Sequence, residues 1–315
     1  MKRGDTRPAE DIALLDMGSN AVRFVLARVR PCRGFRILDE GRVQTRLAGG
    51  RDGRRLPEPA VRRTLQAAHT FLRPVQRRGD ARIIMLATAA VRDADNVGTL
   101  LDPLRERYGD DVRVLSGEEE ARLGARAVVA ALRIGTGVVA DLGGGSLQLA
   151  RLRDGEVVHA ASLPIGAVRT TGRFLRHDPP TAAEVASLRR EIRRRLAGVL
   201  RDDRGDGPLV GLGGTVRALT RIARSAGGRS YTLHGSRLPR TTVVAIRERL
   251  EGMPLRRRRA DVKGLKAERA DIIVAGAVVV EELMEMGDYE RLVFCAHGVR
   301  YGVLVEETFG HVSLA

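Results

Sequence analysis

The chain has 315 residues, enough for about two domains of roughly 150 residues, each able to bury a core. Apolar residues make up 43% and charged residues 30%, which excludes a disordered chain. The formal net charge is +16, and only Lys2, Lys263 and Lys266 among the 55 cationic side chains are lysines.

Two readings of this arginine excess stay open: the codon usage of a GC-rich genome, or a polyanionic ligand gripped by guanidinium forks. The longest apolar run, 272–280, is far shorter than a membrane span of about 20 residues. Cys32 and Cys295 cannot form a disulfide framework, and the first residues carry no apolar signal segment. The expectation is a cytoplasmic protein with reduced thiols and no membrane partner. With no Trp and few other aromatics there is no stacking platform for specific nucleic acid.

In chain order, a short apolar strand over 12–15 ends in Asp16, a turn follows at Met17-Gly18-Ser19-Asn20, and strands run over 22–29 and 35–45. A charged, Gly-containing loop at 49–55 precedes a helix over 57–78, read from Val61, Leu65, Ala68, Leu72 and Val75. A strand at 82–87, a helix at 96–108, a strand at 112–115 and a helix from Ser116 to about Leu132 complete the first half. The pattern then restarts: a strand over 137–140 ends in Asp141, Gly143-Gly144-Gly145 turns, and strands at 146–152 and 156–161 flank an Asp154-Gly155 hairpin. Two helices over 167–200, a loop at 202–207, a strand at 209–212 and a turn at Gly213-Gly214-Thr215 follow. Helices dominate 241–286, with a last strand at 292–295 and a last helix at 298–307.

The two strand-Asp-turn-strand units predict two similar α/β domains with a cleft between them. Three Gly-rich turns follow strands: Gly18-Ser19-Asn20, Gly143-Gly144-Gly145-Ser146 and Gly213-Gly214-Thr215. Glycine lets backbone N–H groups converge on an anion, although a hairpin also needs it. Asp16 and Asp141 beside these turns suit Mg²⁺ shared with substrate phosphates, or else cap their own turns. In the triplet Glu118-Glu119-Glu120, Ser116 and Glu119 fit a capping box and Glu118 complements the helix dipole. Glu120 is left as the candidate general base.

These pieces add up to a family. The segments Asp16-Met17-Gly18-Ser19-Asn20, Ala87-Thr88-Ala89-Ala90-Val91-Arg92-Asp93, Leu115-Ser116-Gly117-Glu118-Glu119-Glu120-Ala121-Arg122, Asp141-Leu142-Gly143-Gly144-Gly145-Ser146, Gly213-Gly214-Thr215, Arg269-Ala270-Asp271 and Gly298-Val299-Arg300 occur in order. Together with Leu163-Pro164-Ile165-Gly166 they resemble the exopolyphosphatase / guanosine pentaphosphate phosphohydrolase family over about 11–306. The resemblance implies an α/β fold of two ribonuclease-H-like domains of the actin/Hsp70/sugar-kinase superfamily around a central cleft. Their expected extents are 1–130 and 131–298, with the last helix (299–315) returning to the first domain.

The same resemblance assigns Glu120 as the base that activates water, Asp141 as the holder of Mg²⁺ (or Mn²⁺), and Arg92 as a phosphate ligand. It assigns phosphate binding to Gly18, Ser19, Asn20, Gly143, Gly144, Gly145, Ser146, Gly213, Gly214 and Thr215. Asp16 and Gln148 are weaker metal candidates. Where the family carries Ser-x-Glu after the triple glycine, this chain has Ser146-Leu147-Gln148, and Tyr301 stands where a Glu is usual. Strand alternation places Gln148 on the face of Ser146, toward the cleft.

The implied activity is Mg²⁺-dependent release of terminal phosphate from inorganic polyphosphate or from guanosine pentaphosphate. The alternatives are a weakened sensor of polyphosphate or guanosine penta/tetraphosphate, and an ATP-dependent kinase of the same fold. The arginine clusters at 189–195 and 256–259 are expected to line the ligand channel. The sequence leaves open a single chain or a homodimer.

Overall fold

The computed structural model describes residues 8–48, 54–109, 111–200, 207–225 and 232–310. The loops expected at 49–55 and 202–207, and the chain beyond 310, fall wholly or partly outside this range.

The first unit runs β1 (Glu10–Met17), β2 (Ala21–Arg30), β3 (Gly34–Gln44), α1 (Glu58–Arg78), β4 (Ala81–Ala87), α2 (Ala89–Arg92), α3 (Gly98–Tyr108) and β5 (Val112–Val114), followed by α4 (Gly117–Leu132). The second runs β6 (Gly137–Leu142), β7 (Leu147–Arg153), β8 (Glu156–Leu163), α5 (Ala167–Phe174), α6 (Ala182–Leu196), β9 (Leu209–Leu212) and α7 (Gly213–Ser225). It continues with β10 (Arg237–Pro239), α8 (Arg240–Glu251), α9 (Leu255–Asp261), a 3-10 turn (Ala267–Arg269), α10 (Ile273–Met286) and β11 (Arg291–Phe294), and α11 (Val299–Phe309) closes the chain.

The internal repeat is real at the level of topology. The first sheet has the order β3-β2-β1-β4-β5, and the second repeats it as β8-β7-β6-β9-β11 with β10 added at the edge. In both, an antiparallel meander of three strands is followed by parallel strands. β1 is buried along nearly its whole length because both faces of the sheet are covered. Its alternate side chains part company: Ala13, Leu15 and Met17 join the core under α1 and α3, while Ile12 and Leu14 meet Val303 and Leu304 of α11.

α4 and α11 lie between the sheets. Ala121, Ala125 and Val128 of α4 pack on Val139, Ala150 and Val210 of the second sheet, whereas α11 covers the first. The two helices touch at Gly302, where a Cβ would lie 2.0 Å from the Leu123 carbonyl oxygen.

Two elements escape the periodicity reading, α2 and β10, because four and three residues carry no period. A third point is a correction: Gly213-Gly214-Thr215 is not a loop before a helix but the first turn of α7, entered directly from β9.

Candidate functional site

The β1–β2 and β6–β7 turns face each other at the floor of a cleft of about 640 Å³ between the two units. Gly144 and Gly145 are required by that approach. A Cβ on Gly144 would lie 3.1 Å from Ser19 Cβ, and one on Gly145 would lie 2.8 Å from Ser19 Oγ. Gly18 and Gly143 spend their own N–H groups inside the turns, on Ala21 O (3.2 Å) and Ser146 O (3.0 Å). The donors left over are the N–H groups of Ser19, Asn20, Gly144 and Gly145, which have no acceptor among the described residues. Asn20 Nδ2 is likewise buried without a partner. A set of convergent, unused donors fits a phosphate.

Three carboxylates converge here. Asp16 is 5% exposed, with Arg23 Nη1 3.4 Å away and Arg300 Nε at 3.9 Å. Asp141 is half-buried and has neither an ion pair nor a side-chain hydrogen bond among the described residues. Its oxygens face glycine Cα atoms: a Cβ on Gly213 would lie 2.8 Å from Oδ1 and one on Gly298 3.4 Å from Oδ2. Burial, with Asp16 adding to it and Arg23 opposing, pushes the Asp141 carboxyl up to about 6.

Glu120 sits in the first turn of α4, 6% exposed. Ser116 Oγ accepts from the Glu119 N–H at 3.1 Å and the Glu119 carboxylate accepts from the Ser116 N–H at 2.6 Å, so Glu119 is committed to the cap. Glu120 points inward to Arg92, whose Nη1 donates to Glu120 Oε1 (2.6 Å) and to Leu115 O (2.8 Å). Burial raises the Glu120 carboxyl to about 8; Arg92 pulls against this, and Asp141 and Asp16 add to it. The short helix α2 aims Arg92 at Glu120, and Arg92 itself does not line the cleft.

Gln148 does line the cleft, as alternation required. Its amide donates to Ser146 Oγ (2.5 Å) and Ser162 Oγ (3.2 Å). Gly213 and Gly214 line the cleft too, and Gly213 has φ +89°, a conformation that favours glycine. Thr215 does not: its side chain is 1% exposed and turned against Gly276 of α10.

The expected arginine clusters lie elsewhere. Arg189 and Arg193 clamp Glu281, Glu282 and Glu285 on α10, Arg194 and Arg195 hold Glu191, and Arg258 is buried against Ala270 O and Asp178. The cations that do line the cleft are Arg23, Arg42, Arg217, Arg221, Lys266, Arg269 and Arg300. Arg269 and Arg300 are each lowered to about 10, by burial first and by neighbouring arginines second. Such crowding of desolvated cations calls for an anion. Sequence reading quoted Arg269 and Arg300 within motifs but gave them no role, and the hairpin position opposite Asp16 was the one signal available for Arg23.

The donor chemistry fits a divalent cation. Asp141 is a hard oxygen ligand without a partner, beside a second buried carboxylate, which is how Mg²⁺ is held together with phosphate oxygens and water. Asp141 could hold such an ion, with Asp16 nearby. The acidic group Glu281, Glu282 and Glu285 on the far side is a different matter, since arginines already engage it.

Two ribonuclease-H-like sheets around a cleft of facing hairpin turns define a protein of the actin-like ATPase fold. The comparisons narrow this. Residues 25–311 match the model of the Ppx/GppA phosphatase family, and the chain belongs to that family. It is 35% identical to exopolyphosphatase 2 of Mycobacterium tuberculosis, over 93% of this chain and 97% of that one. Its structure is similar to that of an Aquifex aeolicus Ppx/GppA family member, with a TM-score of 0.79, 28% identity, and coverage of 95% and 98% of the two chains. An exopolyphosphatase from Cytophaga hutchinsonii shares the fold at a TM-score of 0.87, with 23% identity and coverage of 95% and 98%. No helix of the described residues is long and apolar enough to cross a membrane.

Proposed function

We propose that the protein is a Mg²⁺-dependent exopolyphosphatase that releases terminal orthophosphate from inorganic polyphosphate. The observation that carries this reading is the pairing, in one cleft, of a buried glutamate with a raised pKa and a crowd of arginines that outnumbers the carboxylates paired with them, Arg217, Arg221 and Arg269 having no ion pair among the described residues. Family membership and the names of the relatives support it.

The terminal phosphoryl group lies at the floor, against the free N–H groups of the two turns. Bound to Asp141, Mg²⁺ would neutralise charge on the phosphoryl oxygens. Glu120 takes a proton from a water molecule as the water oxygen bonds to the terminal phosphorus. The bridging P–O bond breaks, and its electron pair leaves with the shortened chain, whose oxygens are held by Arg23, Arg269 and Arg300. Arg92 holds Glu120 in place and keeps part of its population ionised at neutral pH.

Phosphate release from polyphosphate, guanosine pentaphosphate and ATP, each with and without Mg²⁺, tests the assignment. Release from polyphosphate only with Mg²⁺ is the expected outcome, and release from guanosine pentaphosphate would extend the substrate range. A second reading has one observation in its favour, the amide of Gln148 where the family pattern has a carboxylate: a sensor that binds polyphosphate or guanosine penta/tetraphosphate without turnover. Tight binding with no release from any substrate selects it.

A further inference from the structure

A polar row crosses the meander of the second sheet. Asp141 of β6 stands opposite Gln148 of β7, and Gln148 stands opposite Ser162 of β8. Directly opposed residues of antiparallel strands share a face, with Cβ atoms about 4.5–5.5 Å apart. The row ends against helix α4: a Cβ on Gly117 would lie 2.2 Å from Ser162 Cβ. Glu120 follows Gly117 by three residues, on the same side of α4. The candidate base and the amide of Gln148 are therefore both next-door neighbours of Ser162, and both line the cleft.

Gln148 is 3% exposed, and its amide is fixed at two points. Nε2 donates to Ser146 Oγ and to Ser162 Oγ, which uses both amide hydrogens. The carbonyl oxygen Oε1 has no donor among the described residues. Each hydroxyl accepts from the amide, so the Ser146 proton stays available for a phosphate oxygen; an amide turned the other way would draw both hydroxyl protons to itself. A base can take only one hydrogen of a water molecule, and a second acceptor is what fixes the water's orientation. Oε1 is such an acceptor and carries no charge. Asp141 and Asp16 already act against ionisation of Glu120, and a neutral acceptor adds no third anion beside it.

We propose that Gln148 Oε1 orients the attacking water for Glu120, accepting the hydrogen that stays on the water oxygen, with Ser162 as the positioning residue that holds the amide. This rests on the hydrolase reading above and gives its nucleophile a second partner. As the water oxygen bonds to the terminal phosphorus, one hydrogen passes to Glu120 as a proton. The other remains on that oxygen and ends as a hydroxyl of the released orthophosphate. The bridging P–O bond breaks and its electron pair leaves with the shortened chain, so atoms and charge balance. The amide that replaces the family's carboxylate is then a working part of this site, and it acts on the water rather than on the metal.

The test is the steady-state release of phosphate from polyphosphate by Gln148→Met, which is close in size and has no carbonyl. The expected kcat is about 10²-fold lower, with KM for polyphosphate and the Mg²⁺ concentration for half-maximal rate both within about twofold of the unmodified protein. The pH at which the rate climbs stays in place, because no charge is removed. The double variant Gln148→Met/Glu120→Gln is no slower than Glu120→Gln alone, since both residues act on one water. Circular dichroism and melting temperature establish folding. Should Gln148→Met not fold, Ser162→Ala serves in its place, with a smaller loss confined to kcat and the same lack of additivity with Glu120→Gln. An unchanged kcat, a loss that appears in KM or in the Mg²⁺ requirement instead, or full additivity in the double variant overturns the proposal. Where the unmodified protein hydrolyses polyphosphate, those outcomes leave the hydrolase reading standing; an unmodified protein that releases no phosphate from any substrate overturns both.

Discussion

Asp141 and Gln148 stand directly opposite each other across β6 and β7, the place that Asp16 and Arg23 occupy across β1 and β2. The repeat thus sets one aspartate against a cation and the other against a neutral amide. A carboxylate at 148 would face Asp141 and could accept from the hydroxyls of Ser146 and Ser162 that now receive the amide. Gln148→Glu is therefore expected to lower the Mg²⁺ concentration for half-maximal phosphate release several-fold. Without metal, the like-charge pair costs roughly 0.2–1 kcal/mol, so the melting temperature falls and Mg²⁺ restores it. An unchanged Mg²⁺ dependence together with an unchanged melting temperature would remove position 148 from the metal site.

Glu120→Gln is expected to reduce phosphate release about 10²–10⁴-fold while polyphosphate binding is kept. Because the folded carboxyl titrates near 8, the base is active above that pH and the rate climbs as pH rises through it. Arg92→Met removes the cation that favours ionisation and moves the climb to higher pH. The stability sign follows from the same shift. A carboxyl raised on folding from 4.5 to about 8 binds a proton in the native state. Its contribution is complete below about 4.5 and is lost as pH rises through 8. Glu120→Gln should thus melt higher than the unmodified protein at pH 9 and nearly the same at pH 4. Loss of activity in Glu119→Gln but not in Glu120→Gln would reverse the roles of cap and base.

The two hairpins and the capping box at Ser116 were legible in the sequence because each rests on neighbours within a few residues, and the duplicated topology because the same local unit recurs at Asp16 and Asp141. The arginines were not. Arg189, Arg193 and Arg258 form conspicuous runs, yet their partners, Glu281, Glu282 and Asp178, are supplied by segments about 80 to 90 residues away. The cleft arginines are scattered over β2, β3, α7, the 3-10 turn and α11, no more than two to an element, and only the fold gathers them. Thr215 misled for a related reason: it belongs to a Gly-Gly-Thr run, but helix α7 begins at Gly213 and turns its side chain away from the cleft.

The relocated clusters make a prediction of their own. Glu282 is fully buried and is met by Arg189 and Arg193 from α6. Glu282→Ala leaves two guanidinium groups without their central anion, but Arg193 is half exposed and the arginines keep Glu281 and Glu285, so the cost is that of a lost charged hydrogen-bond acceptor, about 1–3 kcal/mol. The expected result is a melting temperature lower by several degrees, with phosphate release per folded molecule unchanged. A loss of polyphosphate affinity with stability intact would return these arginines to the ligand path.

Gly214 separates a packing effect from a binding effect. A Cβ there would lie 1.8 Å from Nη2 and 2.1 Å from Cζ of Arg269, the far end of a flexible side chain. The guanidinium can swing aside, and alanine in place of glycine favours a helix by about 1 kcal/mol. Gly214→Ala should therefore fold and melt no lower than the unmodified protein, yet lose the Arg269 contact and show a raised KM for polyphosphate. Gly166 is the counterpart. Its Cβ would meet Ser146 N at 2.3 Å and the Gly145 and Gly144 carbonyl carbons at 2.4 and 2.5 Å, all backbone. Gly166→Ala has no flexible neighbour to displace and should cost stability, about 1–3 kcal/mol. A double-mutant cycle settles the cause. If Gly214→Ala acts through Arg269, then Gly214→Ala/Arg269→Gln has the KM of Arg269→Gln. Additive effects would mean instead that the Gly214 backbone binds phosphate in its own right.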